Sequence, residues 1–254
     1  MRDDITVLLL TFNETPNIER TLRQLAWTKY LLVIDSFSTD ETLDLIKKVA
    51  PSAVVMQRAF DTFAQQCNFG LRHATTEWIL SLDADYVLTE ELISEIAALD
   101  PAADVAGYSA EFRYCIFGHP LRNTLYPPRT VLYRRSVANY RDEGHGHRVT
   151  VTGTVNALSG KIDHDDRKPL SYWLQCQDRY AQIEAQHLLS QSLTELNFQD
   201  RLRRKTFFAA PLIFLYLLFG RGLILDGWPG WFYVSQRTIA ELLLSLRLLT
   251  QRDQ

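Results

Sequence analysis

The chain has 254 residues, 46% of them hydrophobic, with 27 Lys and Arg against 30 Asp and Glu and a formal net charge of −3. That length and apolar content suit one catalytic domain with an appendage, and the lack of a broad basic excess excludes a nucleic-acid binder that works by neutralising phosphates. Cys67, Cys115 and Cys176 are odd in number and widely spaced, which excludes a disulfide framework or zinc site and fits a reducing compartment. The first apolar run is too short for a signal peptide.

In chain order, four short runs rich in Val, Ile and Leu come first: Ile5 to Leu10, Leu31 to Ile34, Ala53 to Met56 and Trp78 to Leu82. This is the composition of strands covered on both faces. Helical patterns lie between them. Thr15 is placed to cap the first helix, with Pro16 at its first position and Ile18, Leu22 and Leu25 on one face. Ser38 to Glu41 reads as a capping box for the second, which carries Leu43, Ile46 and Val49. A third spans about Ala64 to Ala74, and Thr89 opens a fourth that runs to Leu99. The alternation predicts an α/β fold with a parallel, doubly wound sheet, whose ligands sit at the carboxyl ends of the strands.

Those ends carry the polar clusters. The first strand leads into Thr11-Phe12-Asn13-Glu14, the second into Asp35-Ser36-Phe37-Ser38-Thr39-Asp40, and the fourth into Asp83-Ala84-Asp85. Paired carboxylates at the end of a buried strand pack poorly but hold a divalent cation well against phosphate oxygens. Asp35 is read as an acceptor for a base or ribose hydroxyl, or as a cap for the next helix; Thr11 and Asn13 equally suit turns.

Further on, Val105 to Phe117 alternates, with Tyr108, Ala110, Phe112 and Tyr114 on one face, and a second half-exposed strand is predicted at Thr130 to Tyr133. Pro120, Pro127 and Pro128 break the chain between them, where Arg122 and Arg129 suit an anionic acceptor. The segment Tyr140 to Arg148 packs acids, imidazoles and a guanidinium between glycines, a composition fit for a general base close to a ligand. In Asp163 to Lys168, His and carboxylate suit manganese while Arg and Lys suit phosphate; salt bridging before the next helix is the rival reading.

After the basic run Arg201 to Lys205, Phe207 to Phe219 contains no charged or amide side chain. As a helix it extends about 20 Å, short of a hydrocarbon core of roughly 30 Å. A second helix, Trp231 to Leu249, carries a narrow polar stripe at Thr238, Glu241 and Ser245. Basic flanks, aromatic entry residues and a broad apolar face predict contact with a membrane surface through residues 201–249; the alternatives are a hairpin closing the core or a homo-oligomer seam. The expected domains are 1–200, catalytic, and 201–254, helical.

Taken together, Thr11-Phe12-Asn13-Glu14, Asp35 to Asp40, Gln65-Gln66-Cys67-Asn68-Phe69-Gly70 and Leu82-Asp83-Ala84-Asp85 resemble, in order and spacing, the motifs of family 2 glycosyltransferases, nearest to small bacterial enzymes of lipopolysaccharide-core glucosyltransferase type. The resemblance covers nearly the whole chain. It implies a glycosyltransferase-A fold and inverting transfer of a sugar, glucose by default, from a UDP-sugar to a cell-surface glycan or lipid-linked acceptor. On this reading Thr11, Asn13, Glu14, Asp35, Gln66, Asn68 and Asp83 serve the nucleotide sugar, and Asp85 with His164 holds Mn2+ or Mg2+. The unit Glu143-Gly144-His145 supplies the catalytic group, with Glu143 the first choice for base and Asp142 the reserve. Arg129, Arg148, Arg179 and Tyr180 are assigned to the acceptor or diphosphate side. Relatives carry a basic residue where Cys67 stands, so Arg58 or Arg72 is expected to replace that contact. The implied location is the cytoplasmic face of the inner membrane, peripheral or monotopic. A metal-dependent nucleotidyltransferase fits less well, because Thr11 to Asn17 holds neither Gly nor Lys to grip a triphosphate; a non-catalytic membrane-associated scaffold with a sugar-nucleotide fold is distinguished by failure to bind donor.

Overall fold

Alternating apolar strands and amphipathic helices build the first half of the chain. A computed structural model describes residues 4–143, 146–192, 194, 196–206 and 208–252. Strands β1 (Ile5–Thr11), β2 (Tyr30–Asp35), β3 (Val54–Gln57) and β4 (Trp78–Asp83) are separated by helices α1 (Ile18–Gln24), α2 (Thr42–Val49) and α3 (Phe63–His73). They pair in parallel in the order β3-β2-β1-β4. Alternation along β1 divides the core: Ile5, Val7 and Leu9 pack on one face with Ile18, Leu22 and Leu80, while Leu8 packs on the other with Ala64, Cys67 and Leu71. Both faces are covered, as an all-apolar strand requires.

Beyond β4 come β5 (Tyr86–Leu88), α4 (Glu90–Ala98), β6 (Val105–Ile116), the two-residue β7 (His119–Pro120), β8 (Arg129–Arg134), β9 (Ala138–Glu143), β10 (Gly146–Val151) and β11 (Thr154–His164). Here the sheet stops being purely parallel. β8 inserts antiparallel between β4 and β6, β11 runs parallel to β6, and β5 closes the row antiparallel to β11. The order β3-β2-β1-β4-β8-β6-β11-β5 puts β5 four places from β4, about 19 Å in a flat sheet. Only Ala84 and Asp85 separate the two strands, and three peptide steps reach at most about 11 Å. The sheet therefore curls until the ends of β4 and β11 approach.

Two helix starts differ from the sequence reading. α1 begins at Ile18 with no side-chain cap, and the Thr15 amide donates instead to Asp40 Oδ2 at 3.2 Å. α2 begins at Thr42, whose amide donates to Asp40 Oδ1 at 3.0 Å, while Ser38 is committed to Asp35. Asp40 thus serves both strand-end loops, holding the start of its own helix with one carboxylate oxygen and the facing loop with the other. Thr89 does cap α4, accepting from the Leu92 amide at 3.3 Å.

Packing divides the chain into two compact units, Met1–Gly118 with Leu125–Arg167, and His119–Thr124 with Lys168–Gln254. The second holds α5 (Leu170–Ser190), α6 (Phe198–Arg203), α7 (Ala209–Leu215) and α8 (Trp228–Arg252), with one π-type turn over Tyr216–Gly220. Composition changes near residue 201, whereas this unit begins at Lys168, because Ala181, Ala185 and Leu188 of α5 pack on Leu244 and Leu248 of α8.

Gly160, in β11, passes so close to α4 that a methyl group there would lie 2.5 Å from Leu92 Cα and 2.7 Å from its nitrogen. Both are backbone atoms that cannot swing aside. Gly160→Ala is expected to cost about 1–3 kcal/mol or more, seen as a lower urea midpoint at unchanged slope.

Candidate active site

Asp35 ends β2 with no exposed surface. Its carboxylate accepts from Thr11 Oγ1 at 3.0 Å, Ser38 N at 2.9 Å, Ser38 Oγ at 2.5 Å and Gln57 Nε2 at 3.0 Å. Four donors from three segments fix the turn that follows. Within it Phe37 takes a left-handed φ of 61°, and Asn13, on the facing loop, one of 52°; non-glycine residues hold this conformation only when their surroundings impose it. Asn13 Oδ1 accepts from Thr39 N at 2.8 Å and Asn13 N donates to Ser38 Oγ at 2.9 Å. Phe12 and Phe37 are left exposed along this edge.

Most residues assigned to the nucleotide lie beneath that surface. Thr11, Glu14, Asp35 and Gln66 are buried, and each is bonded within the protein. Gln66 Nε2 donates to Ser36 Oγ at 2.9 Å and to the Arg58 carbonyl at 3.0 Å, while its Oε1 accepts from Arg58 Nη1 at 3.1 Å. Arg58 is ion-paired with Asp61 at 2.6 Å, and the Arg72 guanidinium lies 5.9 Å from the Phe69 ring centre. The Asn68 amide clamps the backbone of Tyr140 through two 2.9 Å bonds. These side chains build the floor and its supports.

The acids of β4 meet the end of β11. Register sets His164 opposite Tyr86 of β5 and Tyr114 of β6, and its Nε2 lies 3.0 Å from Asp85 Oδ2. The rings of Tyr114, Tyr126 and Tyr86 surround the imidazole at 4.7, 5.0 and 5.2 Å. The Tyr86 and Tyr126 hydroxyls are themselves hydrogen-bonded. Burial alone would lower the His164 pKa, but the charges of Asp85, Asp83 and Asp166 outweigh it and hold the group above its ordinary value. His164 is the member of its acidic cluster that turns to Asp85. Asp163 is bidentate to Arg113 at 2.6 and 2.8 Å, Asp165 pairs with Arg167 at 2.7 Å, and Asp166 accepts from Asn17 at 2.9 Å.

Among the described residues no group of three His, Cys, Asp or Glu side chains converges as a complete metal shell. The pair nevertheless fits a divalent cation. The 3.0 Å contact between them is a hydrogen bond in this structure, and the fit lies in the donor chemistry. Mg2+ characteristically takes few protein ligands and completes its shell with phosphate oxygens and water; imidazole beside carboxylate also suits Mn2+.

Arg129, at the start of β8, lies over the Tyr126 ring at 4.6 Å. Burial opposes its charge, but Tyr86, Tyr126 and Asp83 more than compensate and raise its pKa, so a permanent cation stands beside the acids. Asp142 is exposed on β9, opposite His147 of β10. Gly144 and His145, and the side chains of Glu143 and His147, lie outside the described residues. The Cys67 thiol is pushed well up by burial and then by Asp83 and Asp142, so both carboxylates act on one sulfur. Arg148 is exposed on β10 opposite Arg141. Arg179 and Tyr180 belong to the second unit, on α5, with the guanidinium 5.9 Å from the ring. Sequence reasoning missed Asn17 and Arg20, whose side chains reach Asp166 at 2.9 Å and the Asp165 carbonyl at 2.6 Å. The available signal was a polar row, Asn17, Arg20 and Thr21, at helical spacing on a face that also carries buried apolar residues.

Residues 6–153 match the family model described as glycosyl transferase family 2. Glycosyltransferase SunS of the SPbeta prophage in Bacillus subtilis is 32% identical over 95 residues, which is 37% of this chain but only 22% of that relative. An uncharacterized glycosyltransferase of Rickettsia prowazekii, RP128, is 24% identical over 210 residues, 77% of this chain and 71% of its own. Among solved structures, the mannosyltransferase PcManGT from Pyrobaculum calidifontis, in complex with GDP-Man and Mn2+, superposes with a TM-score of 0.55 at 16% identity, covering 98% of this chain and 88% of that one. Glucosyl-3-phosphoglycerate synthase from Mycobacterium tuberculosis gives 0.50 at 16% identity over 72% and 78%. These likenesses establish the glycosyltransferase-A type of fold.

Because Asp35 organises the loops from below, Asp35→Asn is expected to lower stability by about 1–3 kcal/mol, or roughly 2–9 °C in melting temperature for a chain of this size. Asp142→Asn, at an exposed position, is expected to stay within about 0.5 kcal/mol. Thermal melts of the two variants beside the parent check both.

Proposed function

We infer that this chain, which belongs to glycosyl transferase family 2, moves a hexosyl group, glucose by default, from a nucleoside diphosphate sugar to a hydroxyl of a glycan or lipid-linked acceptor with inversion. The carrying observation is the Asp85–His164 pair, 3.0 Å apart at the end of β4. The mannosyltransferase of like fold, solved with GDP-Man and Mn2+, supports a nucleotide-sugar donor and a divalent cation. UDP as the nucleotide and a lipopolysaccharide-core type of acceptor rest on motif resemblance, as does a location at the cytoplasmic face of a bacterial inner membrane.

In this mechanism the Asp35 network preorders the floor under the nucleoside, and the exposed rings of Phe12 and Phe37 offer faces to a base. Asp83 and Asp85 face the ribose and diphosphate. Asp85 and His164 would hold a divalent cation, which would supply Lewis-acid stabilisation of the leaving diphosphate. Arg129 adds fixed positive charge where negative charge grows on departure. Glu143 or Asp142 takes the proton of the acceptor hydroxyl as its oxygen attacks the anomeric carbon opposite the leaving group, which inverts that centre.

Calorimetric titration of UDP-, GDP-, CMP- and dTDP-sugars, with and without Mn2+, is expected to give saturable, metal-dependent binding of one donor. Asp85→Asn should abolish the metal dependence and lower kcat/KM by roughly 100-fold or more. Full activity of that variant in the presence of a chelator would remove the cation assignment, and a folded protein that binds none of the four donors would point to the scaffold reading. Replacing the base, Glu143→Gln or Asp142→Asn, is expected to lower kcat by about 10²–10⁴ with donor affinity unchanged, which separates it from the donor-side residues.

A further inference from the structure

Helix α8 is apolar on both sides. Its inner side buries Tyr233, Val234, Leu244 and Leu248 together with Glu241 and Ser245; Glu241 accepts from Arg203 Nη2 at 2.8 Å, and Ser245 Oγ donates to the Thr206 carbonyl at 2.9 Å. Its outward positions are apolar. Trp228, Trp231, Ile239, Leu242, Leu246 and Leu249 are all exposed, Leu246 by 59%. With Ser235 they recur every three or four residues, which lines them up along one side of the helix for about 32 Å. A second strip, Phe208, Leu212, Leu215 and Phe219, is exposed on α7 and the segments flanking it. The Phe214 ring, 6.0 Å from that of Trp231, joins the two strips.

Charge accompanies this surface. The second unit holds eleven Lys and Arg against seven Asp and Glu. Its described acids are all ion-paired, Asp178 with Arg247, Asp226 with Arg122, and Glu184, Asp200 and Glu241 together with the single Arg203. Arg201 and Lys205, both exposed, have no carboxylate partner among the described residues. No helix among the described residues is long and apolar enough to cross a membrane.

We propose that the exposed face of α7 and α8 is a docking surface for an anionic lipid bilayer, with both helices lying in the plane of the interface. Leucine, phenylalanine and tryptophan enter the acyl boundary, while the exposed Arg201 and Lys205 meet headgroup phosphates. A second copy of the chain would match the apolar strip but bring the same surplus positive charge against it. The proposal stands on the second unit alone and does not rest on the donor chemistry.

The test is flotation of the full-length protein with phosphatidylcholine vesicles, with and without phosphatidylglycerol. Vesicles containing phosphatidylglycerol are expected to carry the protein upward, less so as salt is raised. The double variant Leu242→Glu, Leu246→Glu should lose about tenfold or more of the bound fraction, and Lys205→Glu should weaken the preference for phosphatidylglycerol. Unchanged circular dichroism and donor calorimetry of the double variant separate lost docking from lost folding. Protein that stays at the bottom with both vesicles, or a double variant that floats as well as the parent, overturns the proposal. So does a dimer in sedimentation velocity that the double variant dissolves while vesicles bind neither form; the face would then belong to a second copy.

Discussion

The ladder between β5 and β11 decides which side chains meet the acids at the end of β4. It sets His164 across from Tyr86 and continues as the Asp165 amide donates to the Asp85 carbonyl at 3.1 Å. Side chains alternate faces with period two, so a slip of one residue would turn His164 away from Asp85 altogether. Asn17 then ties this segment to the donor-side loops. Its Nδ2 donates to Glu14 and Asp166, both at 2.9 Å, and its Oδ1 accepts from the Arg167 amide, also at 2.9 Å. One asparagine thus couples the loop after β1 to the end of β11.

Stability and chemistry draw on different parts of the molecule. Side chains such as Val7, Leu9, Leu32 and Leu80 are almost fully buried, each worth about 1.5–3 kcal/mol over exposure. The Arg113–Asp163 pair is close, at 2.6 Å, but its arginine is 41% exposed, and solvent screening leaves such pairs roughly 0–1 kcal/mol. Its value is orientation, since it steers Asp163 away from the cluster and leaves His164 alone toward Asp85. Arg20 shows the opposing cost. Burial lowers its pKa despite Asp165 beside it, the mark of a cation desolvated to hold a loop.

Much of the first half was legible in the amino acids. Strands buried on both faces announce themselves as unbroken Val, Ile and Leu, and β1, β2 and β4 are such strands; β3 has the same composition but stands at the sheet edge with Val54 and Val55 exposed, a correction to the reading of Ala53 to Met56. The acidic pair after β4 was equally plain. What escaped depends on partners distant in sequence. His164 and Asp85 are 79 residues apart, and only the curl of the sheet joins them. The insertion of β8 follows from pairing order, which leaves no local mark. Charged residues such as Arg141 and Asp142 hid the alternation of β9. Thr15 and Ser38 have the chemistry of caps, but the Thr15 hydroxyl meets no partner among the described residues and the Ser38 hydroxyl is taken by Asp35 and the Asn13 amide. In α8 the polar stripe was visible, yet hydropathy alone does not say which side of a helix looks outward; the buried Glu241, paired with Arg203, does.

β9 and β10 pair with each other in a two-stranded sheet of their own. Their root is held by the Asn68 clamp and the buried Tyr140, whose hydroxyl bonds Tyr133 at 2.9 Å. Past that root, substitutions along the arm break no rung of the larger sheet. The arm can therefore change its sequence, and with it the surface it presents, while the pairing that fixes the Asp35 and Asp85 ends of the larger sheet stays as it is.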